Sequence, residues 1–398
     1  AQLHTQYLKA IRSFLQCISI DQPLFIILED LQWADPSSVQ LLGELLSMTA
    51  TSPILFCLVS RPDIESNGWQ LVRKAQEDFG SRLIKIELTN LNDSQSRELI
   101  RKWGGNIEQI PPSMREVILT KSEGNPYFIK VLVEMLKDEE LLIDDDRPFP
   151  KVPKINPNKI PDSLQGLLTT RVDRLQPDAR FTLKIASIIG RNFREKILQH
   201  VLSNRAPKIN LMEQLSRLES LGMIKIAQIH PELTYQFQHI LMYEATYHGI
   251  LKSDRSELHL AAGLALEELY PDQKEQFASQ LAFHFLEGGD LSKAFIYLDL
   301  AGHRAKDSYA NAEAESYFLR AIQLAKNPDN FAHLSTDLGE VLAQQGKHRD
   351  AIQAWEQAIQ YHKKLGNTDQ IAQIYGWSAR SARRNHDNSR ILDICREG

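Results

Sequence analysis

Leu24-Phe25-Ile26-Ile27-Leu28-Glu29-Asp30-Leu31-Gln32-Trp33-Ala34-Asp35 is the stretch on which the fold turns. Its first five residues are a continuous apolar run of strand length. Such a run marks a strand covered on both faces, as in parallel sheets. It ends in two adjacent carboxylates, Glu29 and Asp30. In a doubly wound sheet, ligands bind beyond the carboxyl ends of the strands. A carboxylate there can hold magnesium, usually through water, and a second can orient or deprotonate an attacking water. Acids that close a strand are also common as plain solvated groups, so this pair gains meaning only from its neighbours.

Outward from this stretch, helix and strand alternate over residues 1–90. Tyr7, Ile11, Phe14, Leu15 and Ile18 recur at helical spacing before the strand. After it, Asp35 caps a helix with Pro36 at its first position, and Val39, Leu42, Leu45 and Leu46 share one side. Ile54 to Val59 reads as a second buried strand, and Leu83 to Leu88 as a third that alternates more. The pattern predicts part of a doubly wound α/β sheet.

Residues 91–145 read as helical, with an N-cap signal at Asn92-Asp93-Ser94 and a Gly-Asn-Pro break at 124–126 before a helix over Phe128 to Lys137. Residues 146–162 hold five prolines, Pro148 to Pro161, after Asp144-Asp145-Asp146, and read as a linker. Residues 163–250 predict short helices at Leu164–Leu175, Ala179–Ile188, Arg194–Val201 and Leu211–Leu221, the last stopped by Gly222. A hairpin of Met223–Ile229 and Leu233–Phe237 around His230-Pro231 follows, which suggests a winged helix. Its candidate recognition helix sets Lys208 and Arg217 against Glu213 and Glu219, net zero, so DNA is not the expected partner there.

Residues 251–398 are nearly all helix with weak repetition. Ala282, Phe285, Gly289, Ala294, Leu298 and Ala301 share their spacing with Gly339, Leu342, Gly346, Ala351, Trp355 and Ala358. Ala314, Phe318 and Ala321 repeat the second half. Small residues at close helix crossings are what stacked hairpins require, and the pattern resembles tetratricopeptide repeats. Such repeats offer concave surfaces to protein partners. The basic cluster Arg380, Arg383 and Arg384 has Asp387, Asp393 and Glu397 nearby and reads as a solvated helix face.

Composition sets the outer limits. The 398 residues allow about two to four domains. Lys plus Arg is 46 and Asp plus Glu 51, a formal charge of −5, which excludes a surface built wholly for nucleic acid. No apolar run approaches the ~20 residues of a membrane-spanning helix, and no basic-then-apolar leader opens the chain. Cys17, Cys57 and Cys395 are odd in number and far apart. Cys17 and Cys57 lie in apolar segments, which predicts buried thiols in a reducing, cytoplasmic setting. The chain starts at Ala1 and stops at Gly398 just after a helical pattern, so both ends read as cuts.

The run Glu29-Asp30-Leu31-Gln32-Trp33-Ala34-Asp35 resembles the Walker B segment of signal-transduction ATPases with numerous domains, the STAND class of P-loop NTPases. Ser60-Arg61-Pro62, after the next strand, is similar to that family's sensor arginine, and Gly124-Asn125-Pro126-Tyr127-Phe128-Ile129 to its Gly-Asn-Pro-Phe-Phe-Ile element. The resemblance implies ATP and Mg2+ as cofactors of the complete protein. Glu29 takes the magnesium position and Asp30 the water-activating one. Arg61 senses the γ-phosphate, and Pro126 lines the base pocket. Trp33 is expected as packing beneath the site.

Ile160-Pro161-Asp162-Ser163-Leu164-Gln165, Arg171-Val172-Asp173-Arg174-Leu175 and Ile189-Gly190-Arg191-Asn192-Phe193 continue the likeness, as does Phe237-Gln238-His239-Ile240-Leu241-Met242-Tyr243-Glu244-Ala245. His239 is expected as a buried, hydrogen-bonded structural residue. The arrangement is most similar to the regulatory region of large bacterial adenylate/guanylate cyclases and of kinases built on the same module.

One element of the family is missing. A P-loop needs Gly-x-x-x-x-Gly-Lys-Ser/Thr so that backbone N–H groups and the lysine cradle the phosphates. The sequence holds no such run. The fold class expected is therefore mixed: a truncated α/β P-loop NTPase half-domain (1–90), a helical lid (91–145), a linker, a winged helix (163–250) and an α-helical repeat solenoid (251–398). In the family a central strand separates the strands placed here at 54–59 and 83–88, so the first domain is expected to be unstable alone, or these two strands to close up or gape. Three functions follow as expectations: an ATP-dependent switch for an attached effector such as a cyclase or kinase, a scaffold with vestigial ATPase, or an ATP-dependent transcriptional activator.

Overall fold

The computed structural model describes residues 2–104, 112–138 and 163–385. The expected linker at 146–162, Cys395, and the acids Asp387, Asp393 and Glu397 lie outside the described residues. The chain divides into two compact units, Ala1–Lys85 with Gln273–Leu286 and Asp290–Gly398, and Ile86–Asp272 with Glu287–Gly289.

The first unit begins with helix α1 (Gln2–Asp21), strand β1 (Leu24–Leu28), helix α2 (Pro36–Leu45), strand β2 (Ile54–Leu58) and helix α3 (Asn67–Phe79). β1 and β2 pair in parallel, from Leu24 opposite Ile54 to Leu28 opposite Leu58. Alternate residues reach one face, where Leu24, Ile26, Ile54 and Phe56 meet Leu8, Ile11 and Leu15 of α1, Leu41 and Leu45 of α2, and Met48. Leu71 and Ala75 of α3 extend that layer over Phe56 and Leu58. Arg12 fastens α1 to the end of α2 by donating to the Glu44 carbonyl at 2.7 Å and the Ser47 hydroxyl at 2.9 Å.

Three expectations fail in this region. The apolar runs are not covered on both faces: Phe25, Ile27 and Leu55 are 56%, 54% and 63% exposed. An apolar run records what a strand can bury, and among the described residues a covering layer is present on one side only. The alternating segment at 83–88 forms no strand. Its Ile84, Ile86 and Leu88 are exposed, since alternation supplies β propensity but does not by itself bring a neighbouring strand. The expected third strand is therefore absent. Cys17 is exposed on α1, and Cys57 half-buried, on the uncovered side of β2.

The second unit is built from helices α4 (Asp93–Gly104), α5 (Pro112–Ser122), α6 (Pro126–Asp138), α7 (Leu164–Asp173) and α8 (Pro177–Ile189), strand β3 (Asn192–Arg194), helices α9 (Glu195–Arg205) and α10 (Leu211–Ser220), strands β4 (Ile224–Gln228) and β5 (Thr234–Phe237), and helices α11 (Ile240–His248) and α12 (Lys252–Leu269). Asn92 starts α4 through a reciprocal pair with Gln95, each side chain accepting from the other's backbone N–H at 2.9 and 3.0 Å. The expected hairpin is present as β4–β5, and β3 adds a third antiparallel strand in the order β3-β5-β4. The sequence conceals β3, since three residues merge into the helical pattern that follows. Phe193 on β3 and Phe237 on β5 are fully buried and meet edge to face at 5.9 Å. Gly222 ends the turn after α10 at φ +65°, as expected.

The first unit resumes with α13 (Ala278–Glu287), α14 (Leu291–Asp307), α15 (Asn311–Leu324), α16 (Pro328–Gln344), α17 (His348–Leu365) and α18 (Thr368–Arg384). From α14 onward each helix packs against the next. The mostly helical chain is consistent with a helical-repeat solenoid. The repeated small residues sit at the crossings. Ala294, Ala301, Ala314, Ala321, Ala351 and Ala358 are buried, and a Cβ on Gly339 would fall 2.3 Å from the Trp355 indole nitrogen. That indole donates to the Thr336 carbonyl at 3.1 Å, which fixes α17 against α16. Among the described residues no helix is long and apolar enough to cross a membrane.

Candidate functional site at the strand ends

β1 and β2 run in the same direction, so their carboxyl ends lie side by side. The carboxylates leave the first end and Ser60-Arg61 the second. Leu31 N–H donates to the Val59 carbonyl at 3.1 Å and Val59 N–H to the Leu28 carbonyl at 2.8 Å, which carries the pairing one step past the strands. Asp30 then turns the chain in the left-handed region, φ 57° and ψ 35°. An L-residue other than Gly, Asn or Asp enters that region at a cost, and a short polar side chain bears it best. A single turn of 3-10 helix, Leu31–Trp33, follows.

Gln32 joins the two strand ends. Its Nε2 donates to Asp30 Oδ1 at 3.2 Å, and its Oε1 accepts from the Arg61 backbone N–H at 3.2 Å. Leu31 is buried under α3, where a Cβ on Gly68 would meet the Leu31 carbonyl oxygen at 1.8 Å. Asp35 caps α2 as expected: Oδ1 accepts from Ser38 N–H at 2.8 Å and Oδ2 from the Ser38 hydroxyl at 2.6 Å. Partial burial pushes the Asp35 pKa up, and hydrogen bonds, those from Ser38 the largest, together more than offset it, leaving it below the ordinary value. Glu29 and Arg61 are exposed and Asp30 half-buried.

Trp33 departs from its expected role. It is 66% exposed and does not pack beneath the strand ends. Leu31, two residues earlier, takes that place. A sequence reading favours the larger side chain, but the left-handed Asp30 turns Leu31 inward.

Pro126 belongs to the second unit and is exposed at the first position of α6. Its neighbours explain the motif without a ligand. Gly124 has φ +74°, and a Cβ there would lie 2.0 Å from the Leu91 carbonyl oxygen, so only glycine fits. Asn125 Oδ1 accepts from the N–H groups of Tyr127 and Phe128, both at 3.0 Å, and caps α6. Pro126 has no N–H to leave unsatisfied. His239 is half-buried and caps α11, its Nδ1 accepting from Leu241 N–H at 3.2 Å. It is hydrogen-bonded as expected, but half-buried where full burial was expected.

Sequence reasoning quoted Gln32 only as part of a motif and missed its bridging role. The signal available was an amide side chain between two strand ends, too common to single out.

No family model matches the sequence. An uncharacterized protein of Rhizobium meliloti (strain 1021) is 22% identical over 317 residues. That match takes in 79% of this chain but only 29% of the relative, so the chain spans less than a third of its length. Among solved structures, a signal transduction ATPase with numerous domains, carrying a tetratricopeptide repeat sensor, from Pyrococcus horikoshii is 12% identical with a TM-score of 0.38. The match covers 98% of this chain and 63% of that one. Aspartyl phosphate phosphatase F from Bacillus subtilis is 12% identical with a TM-score of 0.21, over 78% of this chain and 80% of that one. Both scores are low.

Proposed function

We propose that this chain is a regulatory part of a STAND-class ATPase, in which the strand ends of β1 and β2 contribute one wall of a nucleotide site. The observation that carries the reading is the Gln32 bridge between Asp30 and the Arg61 backbone. It joins a carboxylate turn and an arginine-bearing turn at the ends of two parallel strands, where α/β sheets take their ligands.

Glu29 and Asp30 suit a hydrated divalent cation, because hard oxygen donors at a strand end need only share its water shell. In the complete protein Glu29 would face the magnesium, Asp30 the attacking water, Arg61 the terminal phosphate and Pro126 the base. The phosphates themselves have no cradle in this chain, since the Gly-x-x-x-x-Gly-Lys-Ser/Thr run is absent. The residues present therefore do not fit ATP by themselves. The bare face of the β1–β2 sheet supports the same reading, since a strand pair with one apolar face in water is half of a layered α/β domain.

In this reading residues 163–250 are a winged helix used for packing, and the helical repeats meet protein partners and gate an attached effector, with a cyclase or a kinase as candidates. A scaffold with vestigial ATPase is the second reading, favoured by the missing phosphate cradle. ATP turnover and signalling of the full-length protein with Asp30→Asn separate the two. Lost turnover with altered signalling supports the switch, and lost turnover with unchanged signalling supports the scaffold. The isolated chain should show no magnesium-dependent ATP binding on titration; low-micromolar binding would contradict the missing cradle.

A further inference from the structure

We propose that α14 and α16 together form a binding site for a divalent transition metal of the zinc class, built by Asp299, His303 and His333. Asp299 and His303 are four residues apart on α14, and His333 and Asp337 four apart on α16, so each helix presents one imidazole and one carboxylate on a single face. His303 Nε2 lies 3.1 Å from His333 Nε2 and 3.3 Å from Asp299 Oδ1. His333 Nε2 lies 3.9 Å from the same oxygen. Donors around a tetrahedral ion with bonds of about 2.0–2.1 Å stand about 3.3 Å apart. The three atoms already approach that spacing.

Two buried oxygens point to a cation ligand. Asp299 Oδ1 and Asp337 Oδ2 are both buried and carry no hydrogen bond. Asp337 is more than nine-tenths buried, and its Oδ2 lies 3.3 Å from His333 Nδ1 and 3.8 Å from His303 Nε2. A buried carboxylate oxygen left without a donor is costly. Two facing neutral imidazoles hold one proton between their Nε2 atoms, so at most one of the two oxygens receives an imidazole N–H. A metal at the two Nε2 atoms serves them both. It binds Asp299 directly and makes His333 present Nδ1–H to Asp337, the carboxylate–histidine–metal arrangement of ordinary zinc sites.

The surroundings fit that assignment. Lys306 holds the other Asp337 oxygen at 2.6 Å and also pairs with Glu340 at 2.6 Å, so Asp337 is fixed in place. The Phe318 ring meets His303 edge to face at 5.4 Å and sets its plane. His333 remains half exposed, which gives the ion access and leaves a coordination position for water. Two imidazoles and a carboxylate suit zinc, and cobalt as its spectroscopic substitute, and not calcium or magnesium, which take oxygen alone.

The test is calorimetric titration of the full chain with Zn2+ after chelator treatment, with Co2+ absorption as a second readout. One equivalent should bind, Co2+ should show the strong visible bands of a low-coordinate site, and Zn2+ should raise the melting temperature. His303→Gln and His333→Gln should each weaken binding by at least about tenfold, and Asp337→Asn by about tenfold through His333 alone. Helical circular dichroism checks that each variant folds, and Asp299→Asn replaces any that does not. No saturable binding, or binding unchanged in both histidine variants, overturns the proposal.

Discussion

The Tyr127 ring lies flat on the His239 imidazole, with centroids 3.6 Å apart and planes 16° from parallel. One residue follows Pro126 at the start of α6, and the other caps α11. Two motifs more than a hundred residues apart in sequence therefore meet inside the second unit. Burial raises the Tyr127 pKa, and the nearby Glu134 charge raises it further, so the phenol stays protonated across the neutral range. Stacked aromatic pairs couple by about 0.5–1.5 kcal/mol beyond their area. A double-mutant cycle with Tyr127→Leu and His239→Asn, read by denaturant unfolding, should return a coupling in that range. Asn keeps the cap in the second variant, so the cycle isolates the stack. A coupling near zero would mean that the rings touch without holding the helices.

Arg171 makes a second cross-helix contact in the same unit. It is buried on α7, donates to Glu134 of α6 at 2.7 Å, and donates to the Leu221 carbonyl at 2.6 Å in the turn after α10. One guanidinium thus ties three helices. Removing one partner of a buried pair costs about 3–5 kcal/mol, because the remaining charge and carbonyl lose their donors. Lys130 stands 3.7 Å from Glu134 and can take up part of that loss, so Arg171→Met should cost about 3 kcal/mol in chemical denaturation. Adding Glu134→Gln should recover part of it. Equal losses in the single and double variants would place the cost in packing and not in the pair.

His259 gives this unit an acid-sensitive point. It is fully buried on α12, and its Nε2 lies 2.9 Å from the Tyr247 hydroxyl. Burial, with the Arg255 charge added, pushes its pKa down from 6.5 to about 4. The unfolded chain takes up this proton near pH 6.5 while the folded chain resists it until about pH 4. The folded state is therefore fully favoured above pH 6.5 and loses stability as the pH falls toward 4. The loss is at most about 3 kcal/mol. His259→Gln keeps a hydrogen-bonding group beside Tyr247 and has nothing to titrate. The difference in unfolding free energy between native and variant chains should shift in the variant's favour by that order between pH 7 and pH 4. A pH-independent difference would show that His259 does not titrate in this window.

The stops and caps of the helices were legible because they depend on a few neighbouring residues. Asp35-Pro36, Asn92 and Gly222 each act within one turn of chain, and each stands where the sequence puts it. The buried small residues of the later helices were legible for a similar reason, since a repeat states its own spacing. The segment at 83–88 was misread, because alternation predicts a strand and the chain forms none there. Trp33 misled because side-chain size suggests burial, whereas the left-handed turn at Asp30 decides which neighbour faces inward. The Gln32 bridge and the facing histidines of α14 and α16 depend on contacts between separate elements, which no local pattern encodes.

The uncovered face of the β1–β2 sheet carries the last expectation. Phe25 and Ile27 of β1 stand beside Leu55 of β2, all more than half exposed. An apolar patch of this kind marks an interaction surface or an aggregation hazard. Phe25→Thr with Leu55→Thr introduces β-branched residues suited to a pleated surface and removes two large apolar side chains from it. Because little packing is lost, unfolding free energy should change by no more than about 0.5 kcal/mol. Binding of a hydrophobic dye should fall, and sedimentation velocity should show less self-association. In the full-length protein the same pair should be costly if a further layer covers this face, because each threonine would then bury an unpaired hydroxyl. A loss well beyond 0.5 kcal/mol in the isolated chain, together with a concentration-dependent melting temperature, would show that copies of the chain already cover the face in solution.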